Sequence, residues 1–169
     1  MKEMKIIFLD VDGVLNSEEY FNSLSEEQKH GYEYDIDIEK VKLLKEIVDK
    51  SGAEIVLSST WRMLRETEDS PALPMFIHLE NVLAEYGMNI IDYTPVIGCD
   101  RPLEIRKYIY DFGLNNDINF RFVSLDDDFI EKEYDSVGLA HGLIQTSYWR
   151  SPGGLQPEHV EKAIKMLNE

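Results

Sequence analysis

Lys5-Ile6-Ile7-Phe8-Leu9-Asp10-Val11-Asp12-Gly13 is the stretch from which the rest of the chain can be ordered. An apolar run this short, stopped abruptly by Asp-x-Asp-Gly, reads as a buried strand of the parallel kind meeting a turn. Working outward, Asp37 to Lys50 has apolar residues at helical spacing (Val41, Leu44, Ile47, Val48), with Asp37 as N-cap and Gly52 after the end. Ala53 to Leu57 is a second apolar strand, and it breaks into Ser58-Ser59-Thr60-Trp61-Arg62. A helix fits Pro74 to Tyr86, stopped by Gly87, and Asn89 to Ile97 reads as a short strand plus a loop. Arg101-Pro102 opens a helix to Phe112 with Gly113 at its end. Asn119 to Leu125 is the next strand, breaking into Asp126-Asp127-Asp128. Leu143 to Thr146 is a last short strand and Pro157 to Leu167 a last helix. Residues 16–36 read as a loop with one short helix. Strand alternating with helix predicts an α/β fold, a three-layer Rossmann-like parallel sheet with helices on both faces. No repeat or linker divides it, so one domain over residues 1–169 is expected, with a minimal cap or none.

Composition narrows the class. Leu, Ile, Val and Phe make up about 30% of the 169 residues, well above the ~20% below which a chain fails to bury a core. No stretch approaches the ~18 apolar residues of a membrane span. Met1 to Lys5 leads into four apolar residues before Asp10, too few for the apolar region of a signal peptide. The single cysteine, Cys99, cannot form an internal disulfide, which fits a reducing cytoplasm. The net charge of −16 opposes general binding to nucleic acids or anionic membranes unless cations such as Arg62, Arg65, Arg101 and Arg106 are grouped. A small anionic substrate held with a divalent cation reconciles more easily with this balance.

Ligands of open parallel sheets bind beyond the carboxyl ends of the strands. Three predicted strands end there in polar clusters: Asp10 and Asp12, Ser58 to Thr60, and Asp126 to Asp128. Five gathered carboxylates repel one another unless a cation compensates, and hard oxygen donors at this density suit Mg²⁺. The hydroxyls beside them suit a phosphate, although Ser58 to Thr60 could equally cap the next helix. Each acidic cluster alone has an ordinary reading as a turn; their coincidence at one sheet edge argues against it. Trp61 reads as core packing, and His30, His78, His141 and His159 have no zinc or triad spacing. An EF-hand is excluded because Gly13 stands at the wrong offset, and the P-loop, dinucleotide, zincin and nucleophile-elbow motifs are absent.

Phe8-Leu-Asp-Val-Asp-Gly-Val-Leu15 resembles the first signature of the haloacid dehalogenase (HAD) superfamily, Ile55-Val-Leu-Ser58 the second, and Phe122-Val-Ser-Leu-Asp-Asp-Asp128 the fourth. With Ser59-Thr-Trp-Arg62 and Arg101-x-x-Glu-Ile105, the chain is similar to the HAD-type domains grouped with Swiss Army Knife RNA repair proteins. The resemblance implies a Mg²⁺-dependent phosphatase working through an aspartyl-phosphate. Asp10 would be the nucleophile and Asp12 the general acid and base. Mg²⁺ would be held by Asp10, the Asp12 carbonyl and Asp126, with Asp127 through water. Ser58 would bond a transferring oxygen, and Ser59, Thr60 and Arg62 would contact substrate. The third signature needs a cation before the fourth strand; Arg101 stands there, with Arg106 and Lys107 as alternatives. The expected substrate is a nucleotide or other small phosphate ester first and an RNA or DNA end second, with no membrane partner and the oligomeric state open. A receiver-like signalling module and an inactive phosphate-binding domain are the competing readings; a receiver needs its phosphorylated Asp after the third strand, not the first. Whether residues 63–98 cover the site is left open.

Overall fold

In the computed structural model, which describes residues 2–31 and 35–169, β1 (Lys2–Leu9) runs through the centre of a five-stranded sheet. Its neighbours are β2 (Glu54–Leu57) and β4 (Ile118–Asp126), with β3 (Ile90–Tyr93) and β5 (Leu143–Gln145) at the edges, in the order β3-β2-β1-β4-β5. Every pairing is parallel. This α/β architecture is the expected one. It also excludes the receiver reading, whose sheet order is 2-1-3-4-5.

Side chains on a strand alternate between faces, and β1 shows why its run is apolar throughout. Ile7 and Leu9 enter one core with Ile55, Leu57, Val123 and Leu125, covered by α2 (Ile38–Ser51), α3 (Pro74–Glu85) and α6 (Pro157–Asn168). Ile6 and Phe8 enter the other with Val56 and Phe122, covered by α4 (Arg101–Asn116) and α5 (Glu131–Asp135). Because α3 sends Phe76, Leu79, Val82 and Leu83 into the first core, it belongs to the helical layer of the sheet and is no cap. Residues 16–31 hold only α1 (Glu18–Ser23) and a 3-10 turn at Gln28–His30, neither with a buried residue. The rest of the loop reading, at 32–34, lies outside the described residues. Among the described residues no helix is long and apolar enough to cross a membrane.

One helix runs past its expected end, and one short helix is not anticipated from the sequence. Helix α4 does not stop at Gly113 but continues to Asn116, ending where Asp117 turns left-handed at φ 52°. Gly113 serves packing instead: a Cβ there would stand 3.1 Å from the Ile118 carbonyl oxygen and 3.5 Å from the Phe120 ring. Helix α5 has five residues, too few to write a 3.6-residue period into the sequence.

Candidate active site

The site is set by register. Leu9 pairs with Leu57 on one side and with Leu125 on the other, so the next residues, Asp10, Ser58 and Asp126, emerge as a row at the carboxyl edge. The ladder extends one step past the strands: Asp10 N–H donates to the Leu125 carbonyl at 3.1 Å and Ser58 N–H to the Leu9 carbonyl at 2.9 Å. This is the edge at which open sheets bind ligands.

Asp10 and Asp126 are buried and Asp127 is half-buried. Carboxylate oxygens from these three lie within 4.8 Å of one another. Asp127 packs over the turn after β1, where Gly13 sits at φ +79°. A Cβ at Gly13 would fall 2.1 Å from the Asp127 carboxyl carbon, so only glycine lets the two loops approach this closely. Asp128 is exposed, donating only its backbone N–H to Asp126 Oδ1 at 3.0 Å.

One cation answers these acids. Arg101 is placed by the start of α4, where the Asp100 side chain caps the helix and Pro102 fills the first turn. Its Nη1 donates to Asp10 Oδ2 at 3.1 Å and Asp126 Oδ1 at 2.5 Å, and its Nε to the Ser58 carbonyl at 3.3 Å. The alternatives do not reach: Arg106 and Lys107 face solvent, and Lys107 pairs with Asp111 at 2.7 Å. Burial still pushes the Asp10 carboxyl well above the usual range, against the pull of Arg101, and Asp126 and Asp127 push the same way. Asp127 is raised as well, first by burial. Three carboxyls facing one guanidinium form an all-oxygen donor set short of positive charge, which fits a hard divalent cation.

Asp126 is heavily committed to the protein. Oδ1 accepts from Arg101, Asp128 N–H and, at 3.3 Å, Phe129 N–H; Oδ2 accepts from the Tyr134 hydroxyl at 2.7 Å. Burial holds the Tyr134 phenol well above its ordinary pKa, with Asp126 adding to the effect, so it stays a donor. Asp12 is different: its carboxylate is exposed yet fixed, Oδ1 by Asn16 Nδ2 at 2.8 Å and Oδ2 by Trp61 Nε1 at 3.0 Å.

Ser58 Oγ is buried and has no partner among the described residues. Ser59 caps the 3-10 turn of Thr60–Leu64 by accepting from Trp61 N–H at 3.2 Å, and Thr60 is exposed. Arg62 must be reassigned. Its side chain is 1% exposed, pairs with Glu104 at 2.8 Å and donates to the Ser58, Ser59 and Thr94 carbonyls. A guanidinium so enclosed fastens the loop after β2 to α4 and β3 and has no face for substrate.

The sequence reading missed Trp61, Asn16 and Tyr134 as positioning groups. An indole N–H or phenol that is buried requires a polar partner, but nothing local in the sequence says that the partner is an acid at another strand end.

A family model described as the HAD domain in Swiss Army Knife RNA repair proteins matches residues 6–160. No curated protein matches the chain.

Proposed function

Because the chain belongs to the HAD domain family of Swiss Army Knife RNA repair proteins, we propose that it is a phosphohydrolase that cleaves a phosphate monoester through an aspartyl-phosphate. The observation that carries this reading is the disposition of two acids two residues apart: Asp10 is buried against Arg101, and Asp12 is held outside by Trp61 and Asn16. That contrast supports a nucleophile's role for the first and a proton carrier's role for the second.

A carboxylate oxygen of Asp10 attacks phosphorus in line as the ester oxygen departs, and Asp12 gives that oxygen its proton. Asp12, now ionised, takes a proton from water, which attacks the phosphoryl group and frees Asp10 and inorganic phosphate. Arg101 opposes the rise that burial gives the Asp10 carboxyl and offers donors to the phosphoryl oxygens. Ser58 Oγ, buried and unpartnered, and the Ser59 N–H are donors for the same oxygens. Mg²⁺ would be held by Asp10, the Asp12 carbonyl and the Asp126–Asp127 pair, and when bound would let an anionic carboxylate meet an anionic phosphate. Both Asp126 oxygens already serve protein donors, so Asp127 supplies the freer lone pairs.

The test is phosphate release from an aryl phosphate with Mg²⁺ or with chelator, in the wild type and in Asp10→Asn. Mg²⁺-dependent release that disappears in the variant, with the fold unchanged by circular dichroism, supports the reading. Release that survives in Asp10→Asn overturns it.

A further inference from the structure

Leu57 of β2 and Tyr93 of β3 are paired across the sheet, and both pack into the first core. Successive side chains on a strand face opposite ways, so the next residues, Ser58 and Thr94, turn together to the face covered by α4. The ladder carries on through them: Thr94 N–H donates to the Leu57 carbonyl at 3.1 Å, as Ser58 N–H does to the Leu9 carbonyl at 2.9 Å. Thr94 therefore extends the row of Asp126, Asp10 and Ser58 by one strand. It is 3% exposed. Pro95 follows it and confines it to extended backbone.

The backbone groups of both residues are committed. Arg62 Nε donates to the Thr94 carbonyl at 3.1 Å and Arg62 Nη1 to the Ser58 carbonyl at 3.1 Å, so one guanidinium holds the two residues side by side. Glu104 fixes that guanidinium at 2.8 Å and accepts from Ile97 N–H at 2.7 Å. What is left over is the two hydroxyls. Ser58 Oγ and Thr94 Oγ1 are both enclosed and have no hydrogen-bond partner among the described residues, where the only other such side-chain atom is Asp35 Oδ2. A buried hydroxyl without a partner costs stability, a cost that valine, of the same shape, does not carry.

Building on the phosphohydrolase reading, in which Ser58 donates to a phosphoryl oxygen, we propose that Thr94 is the positioning residue of that donor. A hydroxyl has one proton and two lone pairs. With its proton given to the phosphoryl oxygen, Ser58 Oγ has lone pairs to fill, and Thr94 Oγ1–H is the donor on the next strand. Neighbouring strands lie about 4.8 Å apart, so rotation about the two Cα–Cβ bonds brings the hydroxyls together with the backbone at rest. The chain from Thr94 O–H to Ser58 O–H to phosphoryl oxygen aims the Ser58 proton at the substrate. It also strengthens that bond, because linked hydrogen bonds polarise one another. Thr94 Oγ1 itself is too deeply enclosed to touch substrate.

The test is a double-mutant cycle on p-nitrophenyl phosphate with Mg²⁺. Thr94→Val keeps the shape and loses the hydroxyl; its kcat is expected to fall about three- to tenfold, the worth of one ordinary hydrogen bond. Thr94→Ser retains most of the rate, and Thr94→Ala repeats the loss should valine disturb the packing. In a Ser58→Ala background Thr94→Val has no further effect, because the two residues act as a unit. The melting temperature of Thr94→Val is equal to that of the wild type or higher, since an enclosed unpaired hydroxyl is gone. A role in packing alone would instead lower it and slow both backgrounds equally. An unchanged kcat in both Thr94→Val and Thr94→Ala, or equal losses with and without Ser58, overturns the proposal and leaves the phosphatase intact. If the wild type does not hydrolyse the ester, the phosphohydrolase reading is what fails. Calorimetric binding of tungstate, a phosphoryl analogue, then runs the same cycle. Weaker binding in Thr94→Val only when Ser58 is present supports the proposal; equal binding, or none by the wild type, overturns it.

Discussion

Trp61 donates its indole N–H to Asp12 Oδ2 at 3.0 Å, joining the loop after β2 to the turn after β1 across 49 residues of chain. The ring is 4% exposed and packs in the first core, so one side chain both fills the interior and aims an exposed carboxylate. If Asp12 is the general acid, its orientation sets how well it protonates the leaving oxygen. Trp61→Phe keeps the ring packing and loses the donor. We expect kcat on an alkyl phosphate to fall by about tenfold, consistent with the sensitivity of catalysis to small misplacements. The fall on p-nitrophenyl phosphate is expected to be much smaller, because that leaving group departs without protonation. Equal losses on both substrates would mean that Trp61 only supports the fold.

Much of this arrangement is legible in the sequence because strands write short signals. The apolar runs before Asp10, Ser58 and Asp126 end at the same height, and counting to the end of each run is enough to place all three at one edge. Arg101 is legible too, since Asp100 and Pro102 fix it at a helix start before the fourth strand. Arg62 is not: as a bare motif residue it cannot be told from a substrate contact, and its role appears only once Glu104 arrives from a helix 42 residues away. Tyr134 sits on a helix too short to show a period, so neither its burial nor its bond to Asp126 could be anticipated. Asn16 and Asp35 depend on how the loop before α2 folds back over the first turn, which no local pattern encodes.

Arg101 ties the acid cluster to the stability of the fold. Removing it leaves Asp10 and Asp126 buried without their cation, and breaking a buried pair in this way costs about 3–5 kcal/mol. Arg101→Ala is therefore expected to unfold at clearly lower urea without Mg²⁺ and to recover part of the loss when Mg²⁺ is added. Urea titrations in chelator and in millimolar Mg²⁺ check this. An unchanged midpoint in chelator would mean that the acids are already neutral at the pH used and do not rely on Arg101.

Asp126 and Asp127 are adjacent but should fail differently. Asp126 anchors Arg101, Tyr134 and two backbone amides, so Asp126→Asn is expected to lower the melting temperature even in chelator. Asp127 is the freer carboxylate and is raised by burial, with Asp126 and Asp128 adding to the shift. Asp127→Asn should leave the metal-free melting temperature equal or slightly higher, while reducing the upward shift produced by Mg²⁺. The stabilisation behind that shift is about 2.7 kcal/mol at a hundredfold excess over Kd for one site. Scanning calorimetry of both variants separates the roles; a full Mg²⁺ shift in Asp127→Asn would assign the metal to other oxygens.

Asp35 gives the clearest pH signature. Its side chain is buried with Oδ2 unpartnered among the described residues, and its pKa is raised to about 6, first by burial and then by the charge on Asp12. The sign follows from linkage: a carboxyl that holds its proton more tightly folded than unfolded makes the native state relatively more stable at low pH. The cost of ionising it in place sets in as pH rises above the unfolded value near 4 and is complete above about 6. Asp35→Asn, which keeps the shape and cannot ionise, should match the wild type near pH 4 and be more stable by about 1–3 kcal/mol at pH 8. Urea midpoints of both proteins at the two pH values measure the difference. A gain of equal size at pH 4 would trace the effect to packing or to a new hydrogen bond from the amide, and no gain at pH 8 would show that Asp35 is ionised at no cost in the folded protein.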